Sequence, residues 1–204
     1  MISIVITAKS GILPYKYNFL ALAGLIEPMN NRIEFVNGDE GWRLASRLLE
    51  AVWPPEVVAT LRWKDVVWAR ADSRVLNING QNDVTGHAGI YLRNATFDAR
   101  PVKIGGIGGV ATRLDCRRQG IAGEMLRQAV MEMRYTHGVD FGLLFCEPRH
   151  APLYSQLGWR SFEGEVFVEQ PRQGRVRFSV TDAFVFDLKI APRTGILDLC
   201  GLPW

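Results

Sequence analysis

From Gly41 to Val52 the apolar positions recur every three or four residues. Trp42, Ala45, Leu48, Leu49 and Val52 fall on one face of a helix, with Asn37 or Asp39 available to cap its start. Pro54 and Pro55 stop that pattern, and a second short helix is expected over Glu56 to Trp63, because proline is tolerated in a first helical turn. The period then changes. The runs SRVLNING, VTGHAGIYLRNATF and VKIGGIGGVAT have β character and are separated by turn signals at Asn79-Gly80, Asn82-Asp83 and Asp98 to Pro101, which predicts an antiparallel meander. Helical spacing returns from Gly120 to Tyr135, with Ile121, Met125, Leu126, Ala129, Val130 and Met133 inward, and Gly138 ends it. A buried strand over Val139 to Cys146, a short helix over Ala151 to Leu157 and strands over Trp159 to Glu169 and Ala183 to Ile190 complete the order. That order predicts an α+β fold, a mixed and mostly antiparallel sheet flanked by helices.

The 204 residues suit one domain with a sizeable core. The first 28 residues are read as an extension, with a domain over 29–204. The run Asn18 to Ile26 is far short of the about 20 residues a membrane span needs, and no small-residue cleavage site follows. Met29 is then a candidate natural start, an expectation that fails if Leu20, Leu22 and Leu25 prove to be core residues.

A net charge of +3 with scattered arginines gives no reason to expect nucleic acid, and an anionic small molecule would satisfy it equally well. Cys116, Cys146 and Cys200 lie far apart without CxxC spacing, which argues against disulfides and for a reducing, cytoplasmic setting. His87, His137 and His150 show no HxxxH or HExxH spacing, so no metal is expected.

Candidate chemistry concentrates where the third β run gives way to the long helix, at RRQGIAGEML. The first amides of a helix have no internal partner, and the aligned peptide dipoles put partial positive charge there. Gly120 and Gly123 let a phosphate approach the backbone, and Arg117 and Arg118 add charge-assisted hydrogen bonds. Taken alone, the segment is equally a solvated helix start. A P-loop is absent. Gly106 to Ala111 matches GxGxxA, but it is not followed directly by a helix as a dinucleotide site requires, so it is read as small residues inside a strand.

Arg117 to Ala122 also fits the pattern of Gln or Arg, two variable residues, Gly, one variable residue, then Gly or Ala. It follows Gly109-Val110-Ala111-Thr112 and precedes Leu153-Tyr154-Ser155-Gln156-Leu157-Gly158-Trp159. With this order of elements the chain, from about Ser73 to Ile190, resembles the GNAT superfamily of N-acetyltransferases. The resemblance implies a fold of that type and acetyl-CoA as acyl donor, its pyrophosphate held by Arg117, Arg118, Gln119, Gly120, Ile121, Ala122 and Gly123. The strands around the cradle are expected to splay, with the pantetheine arm along Val110, Ala111 and Thr112 like a missing strand. Tyr154 is then the candidate acid for the departing thiolate, a phenol whose pKa lies near the thiol's. Since Ile107 to Gly109 carries no acidic residue, Glu147 is the candidate base, with a solvated loop carboxylate as its plainer alternative. His87 is a candidate for acceptor binding, with a satisfied structural histidine as the alternative.

The stretches TGHAGIYLR, GIGGVATRLDCRRQG, LYSQLGW and the final Gly201-Leu202-Pro203-Trp204 look like the aminoglycoside 2′-N-acetyltransferase branch. There a C-terminal tryptophan lies at the acceptor pocket, so Trp204 and its carboxylate are candidates to meet a cationic amine. Few carboxylates are available for a polycationic sugar, so a less cationic amino sugar or another small amine is also expected. Nodulation-type N-acyltransferases acting on a chitooligosaccharide amine, and a non-catalytic acyl-CoA-binding module, are the alternatives. The oligomeric state is left open, a homodimer included.

Overall fold

The structure, a computed structural model, describes residues 31–204. The extension expected over residues 1–28, and Leu20, Leu22 and Leu25 with it, lie outside the described residues.

Asn37 ends strand β1 (Arg32–Asn37) and caps helix α1 (Gly38–Val52), its side-chain oxygen accepting from the Glu40 amide at 2.9 Å. That satisfies one of the helix's orphan donors and resolves the choice between Asn37 and Asp39. The helix α2 is a single turn (Pro55–Val58), shorter than expected. Strands β2 (Ser73–Ile78), β3 (Val84–Phe97) and β4 (Arg100–Thr112) form the expected antiparallel meander. Helix α3 (Ile121–Tyr135) leads to β5 (Phe141–Cys146), the short helix α4 (Ala151–Gln156) and β6 (Arg160–Ser161). Strands β7 (Glu165–Gln170), β8 (Gly174–Arg177), β9 (Asp182–Asp187) and β10 (Ile196–Asp198) follow. The single strand expected over Trp159 to Glu169 is thus two, broken around Gly164, where a side chain would run into the Gly195 backbone.

The main path of the sheet runs β6-β9-β5-β4-β3-β10-β7-β8, with β1 and β2 beside the first half of β3. The long strand β3 therefore serves two neighbours on one edge: β2 along Val84 to Ile90, and β10 at Thr96 and Phe97. Strands β4 and β5 are parallel, as a strand–helix–strand connection through α3 requires.

Both faces of the central strands are covered, so their sequences are nearly continuous in apolar residues. One face packs on α3, through Met125, Leu126, Ala129 and Met133 against Ile90, Ile107 and Leu144. The opposite face buries Ile104, Phe141, Leu143, Leu197 and Trp204, and α1 closes a smaller cluster over Leu76 and Ala111. Among the described residues no helix is long and apolar enough to cross a membrane.

Candidate active site

Two departures from regular pairing open the sheet. The parallel ladder between β4 and β5 stops at Ile107 and Leu144. Beyond that point Gly108 to Thr112 have no partner on the β5 side, while Phe145 and Cys146 pair only with β9. The free edge of β4 therefore presents unpaired backbone groups to the gap. On its other edge β4 carries a bulge: His87 faces Ala111 and Gly89 faces Gly108, so Gly109 and Val110 add one residue. Gly109 takes φ +60, a backbone conformation costly for any residue with a side chain.

His87 fixes that bulge. Its Nδ1 lies 2.7 Å from the Gly109 carbonyl oxygen and its Nε2 lies 2.8 Å from Nη1 of Arg74. The carbonyl can only accept and the guanidinium can only donate, so Nδ1 carries the hydrogen, Nε2 accepts, and the ring is neutral. Burial, with the charge of Arg74 adding to it and the bond to Gly109 partly opposing, lowers the His87 pKa to about 4. Arg74 is itself buried, with Nε donating to the Gly38 carbonyl at 2.8 Å and its guanidinium over the Trp42 ring. His87 is 1 % exposed, and the structure places it behind the bulge rather than on the cavity wall.

The glycines N-terminal to the bulge have a different cause. A Cβ on Gly106 would overlap the indole of Trp204, which lies flat on β4 and stacks on Tyr91 at 5.6 Å. The Gly-x-Gly pattern of Gly106 to Ala111 is thus a seat for an aromatic ring inside a strand, not a nucleotide loop.

At the far end of β4 the chain turns into α3 through two left-handed residues, Arg118 (φ +62) and Gly120 (φ +82). Arg117 is held by its Nε, which donates to the Thr112 carbonyl at 3.2 Å, and Gln119 by its Nε2, which donates to the Asp115 carbonyl at 3.3 Å. No side chain caps α3, so its first amides point outward unpaired, and a Cβ on Gly120 would meet nothing within 4 Å. Gly123 sits in the first helical turn, where an added Cβ would make only ordinary contacts beyond 3.5 Å. Packing within the chain does not demand glycine there, and glycine costs a helix about 1 kcal/mol relative to alanine. At Gly120 the left-handed backbone already calls for glycine, and at both positions the missing side chain leaves room for a group outside the chain. A diphosphate fits this cradle by charge and by reach.

A cavity of about 830 Å³ runs from the cradle along the free edge of β4 to Trp204. It brings together the sequence-predicted residues Val110, Ala111, Thr112, Arg117, Arg118, Gly120, Ile121, Ala122, Gly123, Glu147, Tyr154 and Trp204. Gln119 and His87 do not line it. Tyr154 comes from α4 and is 7 % exposed, and burial pushes its phenol well above the ordinary value. Cys146 lines the cavity too, its thiol raised to about 12 chiefly by burial, so it stays protonated and is no nucleophile at neutral pH. The Glu147 carboxylate pairs with Nη2 of Arg149 at 2.7 Å.

Sequence reasoning passed over the aromatic lining, which includes Trp53, Trp63, Trp68, Tyr91 and Phe145, and it passed over His150. The three tryptophans between positions 53 and 68 were the available signal, read instead as helix and loop. Burial, with Arg149 adding to it, lowers the His150 pKa, so its imidazole is neutral at pH 7. Among the described residues no group of three or more His, Cys, Asp or Glu could hold a metal ion.

Residues 36–162, more than half of the chain, match the family described as acetyltransferase (GNAT) domain. Solved structures share the fold at low identity. A GNAT family N-acetyltransferase (YhbS) from Escherichia coli, in complex with CoA, aligns at TM-score 0.55 and 14% identity, covering 86% of this chain and 92% of its own. A GNAT family acetyltransferase from Brucella melitensis, in complex with acetyl-CoA, aligns at 0.51 and 14%, covering 83% and 95%. Escherichia coli ElaA aligns at 0.54 and 10%, covering 77% and 99%. With its splayed parallel pair, bulged strand and arginine-glycine helix start, the chain belongs to the GNAT family of acetyltransferase domains.

Proposed function

We propose that the protein moves the acetyl group of acetyl-CoA to a primary amine of a small molecule by direct attack on the thioester. The observation that carries this reading is the shared cavity. One continuous space joins an uncapped helix start with two outward glycines, an unpaired strand edge, and a buried phenol.

The amine nitrogen attacks the thioester carbonyl carbon, the C–S bond breaks, and the acetyl group ends on nitrogen. The proton shed by the amine and the charge left on sulfur are the two quantities the protein must manage. Backbone groups of Gly108 to Thr112 would hold the pantetheine amides, and the cradle the pyrophosphate. With its pKa raised by burial, Tyr154 stays protonated across the working range. It serves as a hydrogen-bond donor to the developing thiolate, and full proton transfer from it is uphill. This modifies the matched-pKa role expected from sequence. Glu147 is the candidate to take the amine proton, through water, with the neutral His150 on the same wall.

An amino sugar or aminoglycoside amine, as the branch resemblance implies, would enter beside Trp204. A polycation needs several carboxylates, whereas among the described residues Glu147 supplies the only side-chain carboxylate of the lining, already paired with Arg149. Replacing Tyr154 with Phe tests the reading: thiol release from acetyl-CoA with an amine should fall while acetyl-CoA still binds. Unchanged turnover would remove Tyr154 from the chemistry. A wild-type protein that binds acetyl-CoA yet acetylates no amine would leave a binding module.

A further inference from the structure

We infer that the acceptor is a small amine carried on a planar apolar body, an arylalkylamine, and not a polycation or an amino sugar. The inference rests on the transferase reading above and names the substrate class of that site. It comes from how polarity divides along the cavity. The charged lining residues, Arg117, Arg118, Glu147 and Arg149, come from the cradle loop and the segment after β5. The aromatic lining residues Trp53, Trp63, Trp68, Tyr91, Phe145 and Trp204 come from other segments and form a wall of their own rings.

Rings follow one another along that wall without a break. Tyr91 stacks on Trp204 at 5.6 Å, Trp204 meets Phe145 at 5.9 Å, and Phe145 meets Phe178 at 4.6 Å. Phe178 meets Trp68 at 6.0 Å, and Trp68 meets Trp63 edge-on at 5.7 Å. Five of these six, all but Phe178, line the cavity. Offset and edge contacts of this kind continue naturally onto a bound aromatic ring, and the ring faces attract an ammonium group before it loses its proton.

The wall is held in place before any ligand arrives. The side chain of Gln170 bonds both backbone groups of Val67, accepting from its amide at 2.9 Å and donating to its carbonyl at 3.0 Å. The Ala69 amide donates to the Pro203 carbonyl at 2.7 Å. Trp68 is thereby fixed between two anchored residues, and Trp204 is seated on the Gly106 surface. A preformed wall of rings pays little ordering entropy on binding and rewards planar apolar area. Its side chains offer few hydrogen-bonding groups to the hydroxyls of a sugar and no carboxylate to a polyamine. A buried polar group left unpaired there costs more than a missing apolar contact.

The test uses the full chain with acetyl-CoA and measures thiol release with 2-phenylethylamine, tryptamine, glucosamine, spermidine and kanamycin. Calorimetric binding of acetyl-CoA is run in parallel. The expected result is kcat/KM at least about tenfold higher for the two arylalkylamines, the size of one or two ring contacts. Trp63→Ala and Trp68→Ala should each raise KM for 2-phenylethylamine about two- to tenfold with KM for acetyl-CoA unchanged, and Trp68→Phe should restore most of it. Retained acetyl-CoA binding shows that these variants are folded. Preference for glucosamine, spermidine or kanamycin overturns the acceptor class while leaving the transferase reading intact. A preference for octanoyl-CoA over acetyl-CoA, without discrimination among amines, assigns the wall to the acyl chain and also overturns it. So does binding of acetyl-CoA with no amine turned over. Failure to bind acetyl-CoA overturns the transferase reading itself.

Discussion

Acidification should loosen this protein through His87, and the size of the effect follows from the geometry. In the folded chain His87 is neutral, donates to the bulge carbonyl of Gly109 and accepts from Arg74. A second proton would have to sit on Nε2, facing a guanidinium, in a buried site. The folded pKa is about 4, against an ordinary 6.5. Because the folded value is the lower one, the unfolded chain takes up the proton first as pH falls. The stabilisation is therefore complete above about pH 6.5, declines through the window between 6.5 and 4, and is absent below it. A gap of about 2.5 units corresponds to a loss on the order of 3 kcal/mol. Urea unfolding at a series of pH values between 7 and 4, on the wild type and on His87→Asn, isolates this contribution. Carboxylate ion pairs such as Asp187 with Arg193 affect both proteins alike. The wild type should be the more stable at pH 7, and its advantage should shrink by that amount toward pH 4. An advantage constant with pH would refute a neutral, bulge-holding His87.

Four further outcomes follow. Gly120→Glu should abolish acetyl-CoA binding by calorimetry, since it puts bulk and like charge where the proposed diphosphate would lie and forces a side chain into φ +82. Gly123→Ala should raise the unfolding free energy by about 0.5–1 kcal/mol through helix propensity and yet weaken acetyl-CoA binding, a split that a purely structural glycine would not give. Tyr154→Phe should lower kcat about 100-fold with KM for acetyl-CoA nearly unchanged, and the wild-type profile should show no loss of activity from Tyr154 ionisation below about pH 10. Gly106→Ala should cost about 1–3 kcal/mol in denaturant unfolding and change tryptophan emission, because the added methyl must push Trp204 off its seat.

The elements that sequence revealed are those whose signal is local. The Asn37 cap, the period of α3 and the turns of the meander each need only neighbouring residues to be read. So does the cradle, because an arginine-glycine helix start is a contiguous stretch. What escaped depends on distant chain segments. Strand β10 is three residues long and exists because it fits between β3 and β7, a slot no periodicity announces. Strand β1 alternates only weakly and pairs at an edge. The glycines of β4 were legible as small residues inside a strand, but their reason, the Trp204 ring, comes from the other end of the sequence. In the same way the tryptophans after Pro55 follow no helical face, since Trp63 packs on Trp68 and Trp68 on Phe178 instead. The bulge partner His87 was legible as a histidine in a strand, but its two bonds were not.

The central claim is that backbone nitrogens at the start of α3 hold the diphosphate of acetyl-CoA while the free edge of β4 holds its pantetheine arm. A crystal structure with CoA tests it most directly. Phosphate oxygens should lie within about 2.7–3.2 Å of amides between residues 118 and 123, with the pantetheine chain alongside Gly108 to Thr112 and its sulfur near Tyr154. Phosphates bound elsewhere, or a pantetheine arm away from β4, would contradict the account.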